Sequence, residues 1–423
     1  MRKRTLILIC LLLPLFVTAC FDSNEIGDFA YVTALGIEHG ISDTFRITFQ
    51  VSKFSQGAGA GGEGGGGGKE SEDMEIITID ASSLNSAVSV ANAHISKKLN
   101  FMHLKAIIIS EELATNGNLG ECLAPFIRYR DIRRTTCVVV CKEKAEEFIA
   151  EIKPYSGELV TQAIEEFIKK SSKSGYFPKV TLNDVYDGIR APYHSLLVTY
   201  ASINKEDKLE SEGDLFKGES AIPGDFYAGD IPRKGGQKIE LFGSAVFDGD
   251  KMVGKLTGFE TQMLLLVRGE LTTAPFSLTD PERPELMVPI EVTEFDKPKI
   301  SIDLNEGKPK VQVKLKLEGN IVSIQSGIHY ESLEKTPILE EAFEKYLIEG
   351  IERTFKKCKE FKADVFNFGT TAVLQFWTIP EWEEYNWQSK FPESELKVEA
   401  DFTIRRTGKI LKTEPVYSSE GKK

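Results

Sequence analysis

The first twenty residues constrain this chain more than any other segment, because they determine where the rest of it must fold. Arg2, Lys3 and Arg4 form a positive patch, and an apolar run follows from residue 6 to residue 17. A basic patch followed by a short apolar run is typical of an export signal. The run is shorter than the roughly 20 residues that a membrane span needs, and Pro14 further disfavours a stable helix there.

The segment ends in Val17-Thr18-Ala19-Cys20, which resembles a lipobox. In a lipobox the cysteine thiol is alkylated by diacylglycerol and the peptide is cut just before it. The alternative is a plain signal peptide followed by a chance cysteine. We expect residues 1–19 to be a lipoprotein signal peptide and Cys20 to be the lipidation site, carrying diacylglyceryl and N-acyl chains. Because two chains anchor stably where one is marginal, Cys20 should hold the protein on the membrane.

The charge of the chain excludes one class of partner. Its formal net charge is −12, and removal of residues 1–19 takes away three basic and no acidic side chains, which moves the charge to −15. Binding to nucleic acid depends on lysine and arginine that neutralise phosphates, so an acidic body disfavours it. An acidic surface also gains nothing from anionic lipid, which leaves the acyl chains to hold the membrane.

No motif in the sequence predicts an enzyme, a metal site or a cofactor site. The five histidines show no metal-ligand spacing, and no G-x-S-x-G elbow occurs. Residues 57–62 formally match G-x-G-x-x-G, but more glycine follows where a helix must begin to bind a pyrophosphate. We interpret residues 57–68 as a flexible glycine tether between two strands. Apart from Cys10 and Cys20, the four cysteines are expected to be buried thiols.

Hydrophobic periodicity predicts an α+β protein in which strand series and amphipathic helices follow one another. Residues 204–237 are polar, with scattered glycine and proline, and mark the clearest boundary. We therefore predict an N-terminal α+β domain over 20–203, a middle hairpin-plus-helix domain over 204–275, and a C-terminal α+β domain over 276–423. Strands are predicted at 44–54, 75–80, 106–109, 135–141, 194–200, 240–247, 251–255, in series over 286–326, and at 396–405. Helices are predicted at 83–99, 119–127, 143–151, 158–171, 181–190, 258–267 and 337–361.

Two segments have especially clear periodicity. Residues 311–317 (VQVKLKL) alternate, so their valines and leucines should share one buried face. The helix at 337–361 carries an apolar stripe, with Thr336 as the expected N-cap and Pro337 in the first turn. The stripe could face a partner protein, but a stripe that faces the protein's own core is the commoner case.

Four blocks of sequence resemble a known family. Residues 20–38 read CFDSNEIGDFAYVTALGIE and are similar to the opening of the Ger(x)C family, C-W-D-x-x-E-I-x-x-L-A-x-V-x-x-x-G-I-D. Phe21, Phe29 and Glu38 depart mildly from that pattern. The remaining blocks are Phe242–Phe247 with Met252–Gly254, Asp364–Gly369, and Trp387 with Ile404–Gly408.

The resemblance implies a three-domain α+β lipoprotein with mixed or antiparallel sheets and packed helices, on the outer face of the spore inner membrane. It implies the C subunit of a nutrient germinant receptor, acting with polytopic A and B subunits to trigger germination. No catalytic residue is carried over, and only Cys20 matches a position with an assigned role. The glycine tract at 57–68 is not part of the family pattern.

Two alternatives of other classes remain. A substrate-binding lipoprotein of a transporter predicts two lobes of repeated βα units around a cleft. A lipid-anchored envelope enzyme requires a constellation of acid, base or nucleophile, which the motifs do not provide.

Overall fold

The computed structural model describes residues 26–42, 44–52, 74–153, 160–205, 224–305, 307–410, 412–414, 417–419 and 421–422. Three predictions lie outside these ranges: the signal peptide over 1–19, the lipidation site Cys20 and the glycine tract over 57–68.

The strands and helices of the described ranges follow one another along the whole chain. The strands are β1 (Phe29–His39), β2 (Phe45–Ser52), β3 (Met74–Ala81), β4 (Lys98–Asn100), β5 (Ala106–Ser110), β6 (Cys137–Cys141), β7 (Leu197–Ile203), β8 (Ile239–Asp248), β9 (Lys251–Leu256), β10 (Ala274–Thr279), β11 (Met287–Phe295), β12 (Lys299–Asp303), β13 (Lys310–Ile321), β14 (Glu395–Arg406), β15 (Tyr417–Ser418) and β16 (Gly421–Lys422). The α-helices are α1 (Leu84–His94), α2 (Glu111–Asn116), α3 (Leu119–Arg128), α4 (Ala145–Ala150), α5 (Val160–Lys169), α6 (Ser171–Ser174), α7 (Leu182–Arg190), α8 (Gly258–Arg268), α9 (Thr336–Glu360), α10 (Gly369–Ala372), α11 (Ile379–Tyr385) and α12 (Trp387–Lys390). None of these helices is long and apolar enough to cross a bilayer.

The larger sheet is mixed, in the order β3-β2-β1-β5-β6-β7-β8-β9, with β4 also paired to β1. Its centre is parallel, from β1 through β5 and β6 to β7. Continuous apolar runs such as Ala106–Ile109 are typical of parallel strands that are buried on both faces. Antiparallel strands flank the centre, with β2 and β3 on one side and β8 and β9 on the other. The predicted pairing of 44–54 with 75–80 and the hairpin at 240–255 are confirmed.

The smaller sheet is built around β13. Antiparallel β12 pairs with the first half of β13, antiparallel β11 pairs with its second half, and β14 runs parallel to it along most of its length. The predicted alternation is confirmed, because Val311, Val313, Leu315 and Leu317 are all buried. Helix α9 packs on this sheet with its apolar stripe, so the core-facing interpretation is confirmed, although Ile338 at the start of the stripe is exposed.

Helix α8 joins the two sheets. Every residue from Gly258 to Val267 is buried, so this helix has no solvated face. It approaches α9 closely at Gly350, where a Cβ atom would lie 2.8 Å from the ring of Phe259. Nearby, the Lys357 ammonium of α9 lies 2.6 Å from the buried Glu260 carboxylate of α8. Close backbone approach and a part-buried ion pair therefore fix α9 against α8.

The α+β class with mixed sheets and packed helices is confirmed. The three-domain division at 20–203, 204–275 and 276–423 stays a prediction; β8 and β9, which lie in the predicted middle domain, are strands of the larger sheet. The predicted burial of the four cysteines is also confirmed, for Cys122, Cys137, Cys141 and Cys358.

Several predicted boundaries differ from the structure, and three of them have a bearing on the local contacts. Helix α1 ends at His94 rather than 99, because the Asn92 side chain accepts a hydrogen bond from the Leu99 backbone and β4 begins there. Strand β7 begins at Leu197 rather than 194. Thr336 is the first helical residue of α9 and not its cap, since its hydroxyl donates to the Ser332 carbonyl of the preceding turn.

Candidate functional site: a polar pocket beside strand β7

A pocket of about 420 Å³ opens where the segment before β7 meets the end of α8 and the turn before α10. This volume lies within the range of roughly 300–1,000 Å³ that is usual for small-molecule sites. The polar residues used below are Asp184 and Asp187 of α7, His194 and Ser195 before β7, Arg268 and Glu270 at the end of α8, and Asn367, while Lys179 adds a further charge.

Helix α7 presents two carboxylates to the pocket. Thr181 caps the helix and forms a capping box with Asp184, whose carboxylate accepts from the Thr181 backbone at 2.8 Å. Asp187 lies three residues further along, and positions i and i+3 share one face of a helix. Its carboxylate accepts from the Asn183 side chain at 2.7 Å. This wall of the pocket is therefore negatively charged.

The opposite charge comes from Arg268, the last residue of α8. Its side chain is only 12% exposed. One terminal nitrogen donates to the Asn367 side chain at 2.8 Å, and the other lies 3.3 Å from the Glu270 carboxylate. The Nε atom is buried and has no hydrogen-bond partner among the described residues. A buried guanidinium with a spare donor is an unsatisfied group, which costs free energy unless something accepts from it.

His194 lies between these two charges. Burial and the charge of Arg268 lower the pKa of its imidazole to about 4, while Asp187 opposes the shift. The ring is therefore neutral near pH 7, with one nitrogen able to donate and the other to accept. Its Nδ1 atom is buried and, like Nε of Arg268, has no hydrogen-bond partner within the described ranges.

The turn that carries Asn367 is held by a buried carboxylate. Asp364 is fully buried, and it accepts from the backbone of Gly369 at 2.7 Å and from the indole of Trp387 at 2.9 Å. A Cβ atom on Gly369 would lie 2.0 Å from the Tyr193 carbonyl, so no larger residue fits there. These contacts fix the turn against the segment before β7 and place Asn367, in a left-handed conformation with φ of 63°, beside Arg268.

The residues that line the pocket include the three residue types of a nucleophilic relay. Ser195, His194 and Asp187 all line the pocket, but the structure shows no hydrogen bond that joins them into a relay. Among the described residues, no group of three histidine, cysteine or acidic side chains could hold a metal ion. Two buried nitrogens without a partner among the described residues, and charged side chains of both signs, are the features that the pocket offers to a ligand.

A second surface feature is an exposed apolar loop, which we define as residues 373–379. Leu374 is 81% exposed, Trp377 is 96% exposed and Ile379 is 58% exposed. The loop is nevertheless ordered, because the Glu381 carboxylate accepts from the Trp377 backbone at 3.2 Å and Thr378 caps α11. Clustered exposed apolar side chains on an ordered loop are typical of interaction sites.

Cys20, the site residue predicted from the sequence, lies outside the described residues. The pocket and the apolar loop are further candidate sites that the sequence did not predict. Reasoning from the sequence missed Arg268, Asp187 and His194 as a group because Arg268 is distant in the chain from the segment that carries Asp187 and His194. The one available signal was the block Asp364–Gly369, which holds Asn367 in the pocket.

Comparisons with known proteins cover most of the chain. The family model described as "Spore germination protein N-terminal domain" matches residues 22–203, and the model described as "Spore germination B3/ GerAC like, C-terminal" matches residues 242–408. The pocket draws residues from both matched segments.

Relatives and a solved structure agree with these models. Spore germination protein KC of Bacillus subtilis (strain 168) is 25% identical over 432 residues, which cover 98% of this chain and 98% of that protein. Spore germination protein B3 of the same organism is 22% identical, with 94% and 96% covered. The crystal structure of the GerBC protein superposes with a TM-score of 0.53 at 19% identity, covering 88% of this chain and 96% of that chain. That likeness shows the shared fold.

Proposed function

This chain belongs to the Ger(x)C family of spore germination proteins, and on that premise we propose that it is a non-catalytic, lipid-anchored subunit of a nutrient germinant receptor. It acts in germination with polytopic A and B subunits at the spore inner membrane, on whose outer face Cys20 holds it. The observation that carries the proposal is the match of both family segments, in order, over most of the chain. The lipobox at 17–20 supports the anchor.

A non-catalytic subunit must act by contact, and the apolar loop is the surface that suits such a contact best. A tryptophan that is almost fully exposed contributes little to its own fold, whereas buried in an interface it is a typical energetic anchor. The next helix, α11, carries Glu381, Glu383 and Glu384, and acidic side chains disfavour contact with anionic lipid. We therefore assign the loop to a protein partner, a polytopic receptor subunit, rather than to the bilayer surface.

Attachment to the same membrane makes such a contact efficient. Two proteins confined to one surface meet at a raised effective concentration, so even a small interface can be occupied. The single lipid anchor would leave the folded body free to reach the outer parts of a polytopic neighbour.

The proposal is tested by deletion and by co-purification. Spores that lack the gene are challenged with single amino acids, sugars and nucleosides, and germination is compared nutrient by nutrient with a strain that carries a restored copy. We expect one set of responses to disappear and the others to remain. The wild-type protein, extracted from spore inner membrane, should carry a polytopic subunit with it. Unchanged responses to every nutrient, in a strain without a redundant receptor, would contradict the proposal.

The pocket favours a second candidate, the substrate-binding lipoprotein of a transporter. The topology disfavours it, because such proteins are built from two lobes of repeated βα units. Here one mixed sheet continues from β3 to β9, and the smaller sheet has a different strand order.

A further inference from the structure

We propose that the pocket beside β7 binds a small zwitterion, a molecule with one carboxylate and one ammonium group, through Arg268 and His194 at one end and Asp187 at the other. The chemistry of the pocket stands independently of the receptor role proposed above, because it rests only on the side chains that line it.

The end of the pocket that binds the ligand's carboxylate is defined by hydrogen-bond donors that have no acceptor. Arg268 uses its two terminal nitrogens on Asn367 and Glu270 but leaves Nε–H without an acceptor. A carboxylate is the strongest acceptor available to a guanidinium, and hydrogen bonds between charged groups are roughly twice as strong as neutral ones. His194 Nδ1, also buried and without a partner in the described part of the chain, can donate to the same group. The residues that line the pocket therefore include two buried donors that lack an acceptor.

The ammonium end is defined by the acidic wall of α7. Asp184 uses its carboxylate on the backbone and side chain of Thr181, the helix cap. Asp187 has one hydrogen bond from the Asn183 side chain, which leaves its carboxylate able to accept from a further donor. An ammonium supplies such a donor and neutralises the charge.

The charges of the pocket exclude simpler ligands. Arg268 and Lys179 supply two positive charges, while Asp184, Asp187 and Glu270 supply three negative ones. A plain carboxylate would leave the acidic wall uncompensated, and a plain amine would leave the spare donors of Arg268 and His194 unsatisfied. A zwitterion satisfies both ends, and its net charge of zero suits a lining of nearly balanced charge.

The test is calorimetric titration of the full mature lipoprotein, purified in detergent. The probes are glycine, β-alanine, 4-aminobutyrate and 6-aminohexanoate, which separate the two charges by increasing lengths. Propionate and propylamine carry one charge each and are the matched single-charge probes. We expect saturable binding that peaks at one length in the series, with propionate and propylamine at least 10-fold weaker.

Three variants assign the ends of the ligand. Arg268→Gln should weaken binding of the best zwitterion roughly 10- to 100-fold, as expected for loss of a hydrogen bond to a charged group. Asp187→Asn should weaken binding of the zwitterion by a similar factor but leave binding of propionate unchanged. Among the described residues, Asp187 is hydrogen-bonded only to a side chain of its own helix, so this variant tests the proposal even where Arg268→Gln disturbs the turn at Asn367. Arg283→Gln, at an ion pair outside the pocket, should bind as wild type.

Two results would overturn the inference. Absence of saturable binding by every probe would mean that the spare donors of Arg268 and His194 stay without an acceptor and do not recognise a carboxylate. Equal binding of propionate and the best zwitterion, with no effect of Asp187→Asn, would mean that the pocket recognises a carboxylate only.

Discussion

The indole nitrogen of Trp387 donates a hydrogen bond of 2.9 Å to the carboxylate of Asp364, and both side chains are almost completely buried. The same carboxylate oxygen accepts from the Gly369 backbone. Residues from two separate sequence blocks thus meet at one buried point, which holds the turn that carries Asn367 into the pocket.

Replacement of that tryptophan should destabilise the protein measurably. Trp387→Phe removes the indole donor and leaves a small void beside a buried carboxylate. We expect a loss of about 2–3 kcal/mol in the free energy of unfolding, measured by urea denaturation. Trp377→Phe is the matched control, since that side chain is almost fully exposed; it should change stability by less than about 0.5 kcal/mol. Equal losses of unfolding free energy in the two variants would mean that the buried hydrogen bond contributes nothing to stability.

The pH dependence of stability should report on Asp364. Burial raises the pKa of its carboxyl from 3.8 to about 6, although hydrogen bonds from Gly369 and Trp387 oppose the shift. Because the folded state favours the protonated form, the contribution of this group is fully present below about pH 4. This contribution is lost as the pH rises through about 6, and the free energy of unfolding should fall by about 3 kcal/mol as a result.

The variant Asp364→Asn cannot titrate, so it isolates this contribution. The stability advantage of wild type over Asp364→Asn should shrink between pH 4 and pH 7, measured by urea denaturation at each pH. Trp387→Phe retains the carboxyl but loses a hydrogen bond that lowers its pKa, so its stability should still fall with pH, over a range displaced to higher pH. A constant difference between wild type and Asp364→Asn across this range would contradict the raised pKa.

The ion pair between α8 and α9 should matter for stability because one partner is buried. Lys357→Met would leave the Glu260 carboxylate, 8% exposed, with the hydrogen bond it accepts from the Thr257 backbone as its one remaining partner among the described residues. We expect a loss of about 2 kcal/mol in the free energy of unfolding, below the value for a fully buried pair because Lys357 is partly solvated. The double variant Lys357→Met with Glu260→Gln should recover part of this lost free energy of unfolding. If the double variant instead loses the sum of the two single-variant losses, the two groups are not coupled.

The apolar loop should affect partner binding without affecting the fold. Trp377→Ser should keep the melting temperature of wild type, since the indole is exposed. The amount of polytopic subunit that co-purifies from spore inner membrane should fall several-fold. Leu333→Ser, at an equally exposed position before α9, is the control and should co-purify as wild type does. If Trp377→Ser instead weakens binding to vesicles that contain no protein, the loop contacts lipid and the partner assignment is wrong.

The anchor is tested at Cys20. Cys20→Ala should leave the precursor without diacylglycerol, and the protein should leave the membrane fraction under mild extraction. Mass spectrometry of the mature N-terminus gives the direct readout. Cys358→Ala is the matched control, because that thiol is buried in the core, and it should remain in the membrane fraction. Retention of the Cys20→Ala variant at the wild-type level would show that something else anchors the chain.

Elements with strong periodicity were predictable from the sequence, and weakly periodic ones were not. Strand β13 and helix α9 lie where their apolar patterns place them. Strand β10 was missed because Pro275 and a short APFSLT run give no clear alternation. The helices α10, α11 and α12 are too short, at four to seven residues, for a helical repeat to show.

The pocket was unpredictable for a different reason. Arg268, His194 and Asp187 carry no motif, and only tertiary folding brings them together. Their unpartnered atoms are a property of packing, which a sequence pattern does not encode. The block Asp364–Gly369 was visible as a resemblance, but its role in positioning Asn367 emerges only from the hydrogen bonds of the turn.

The antiparallel pairing of β7 with β8 has a mechanical consequence. Strand β7 lies in the segment matched by the N-terminal family model, and β8 from Phe242 onward lies in the segment matched by the C-terminal one. Their ladder runs from Leu197 opposite Val246 to Ile203 opposite Ile239. A hinge between the two segments would have to break this row of backbone hydrogen bonds. Any displacement of the protein relative to a neighbour should therefore be a tilt or translation of the whole body. A closing movement of one matched segment towards the other is not expected.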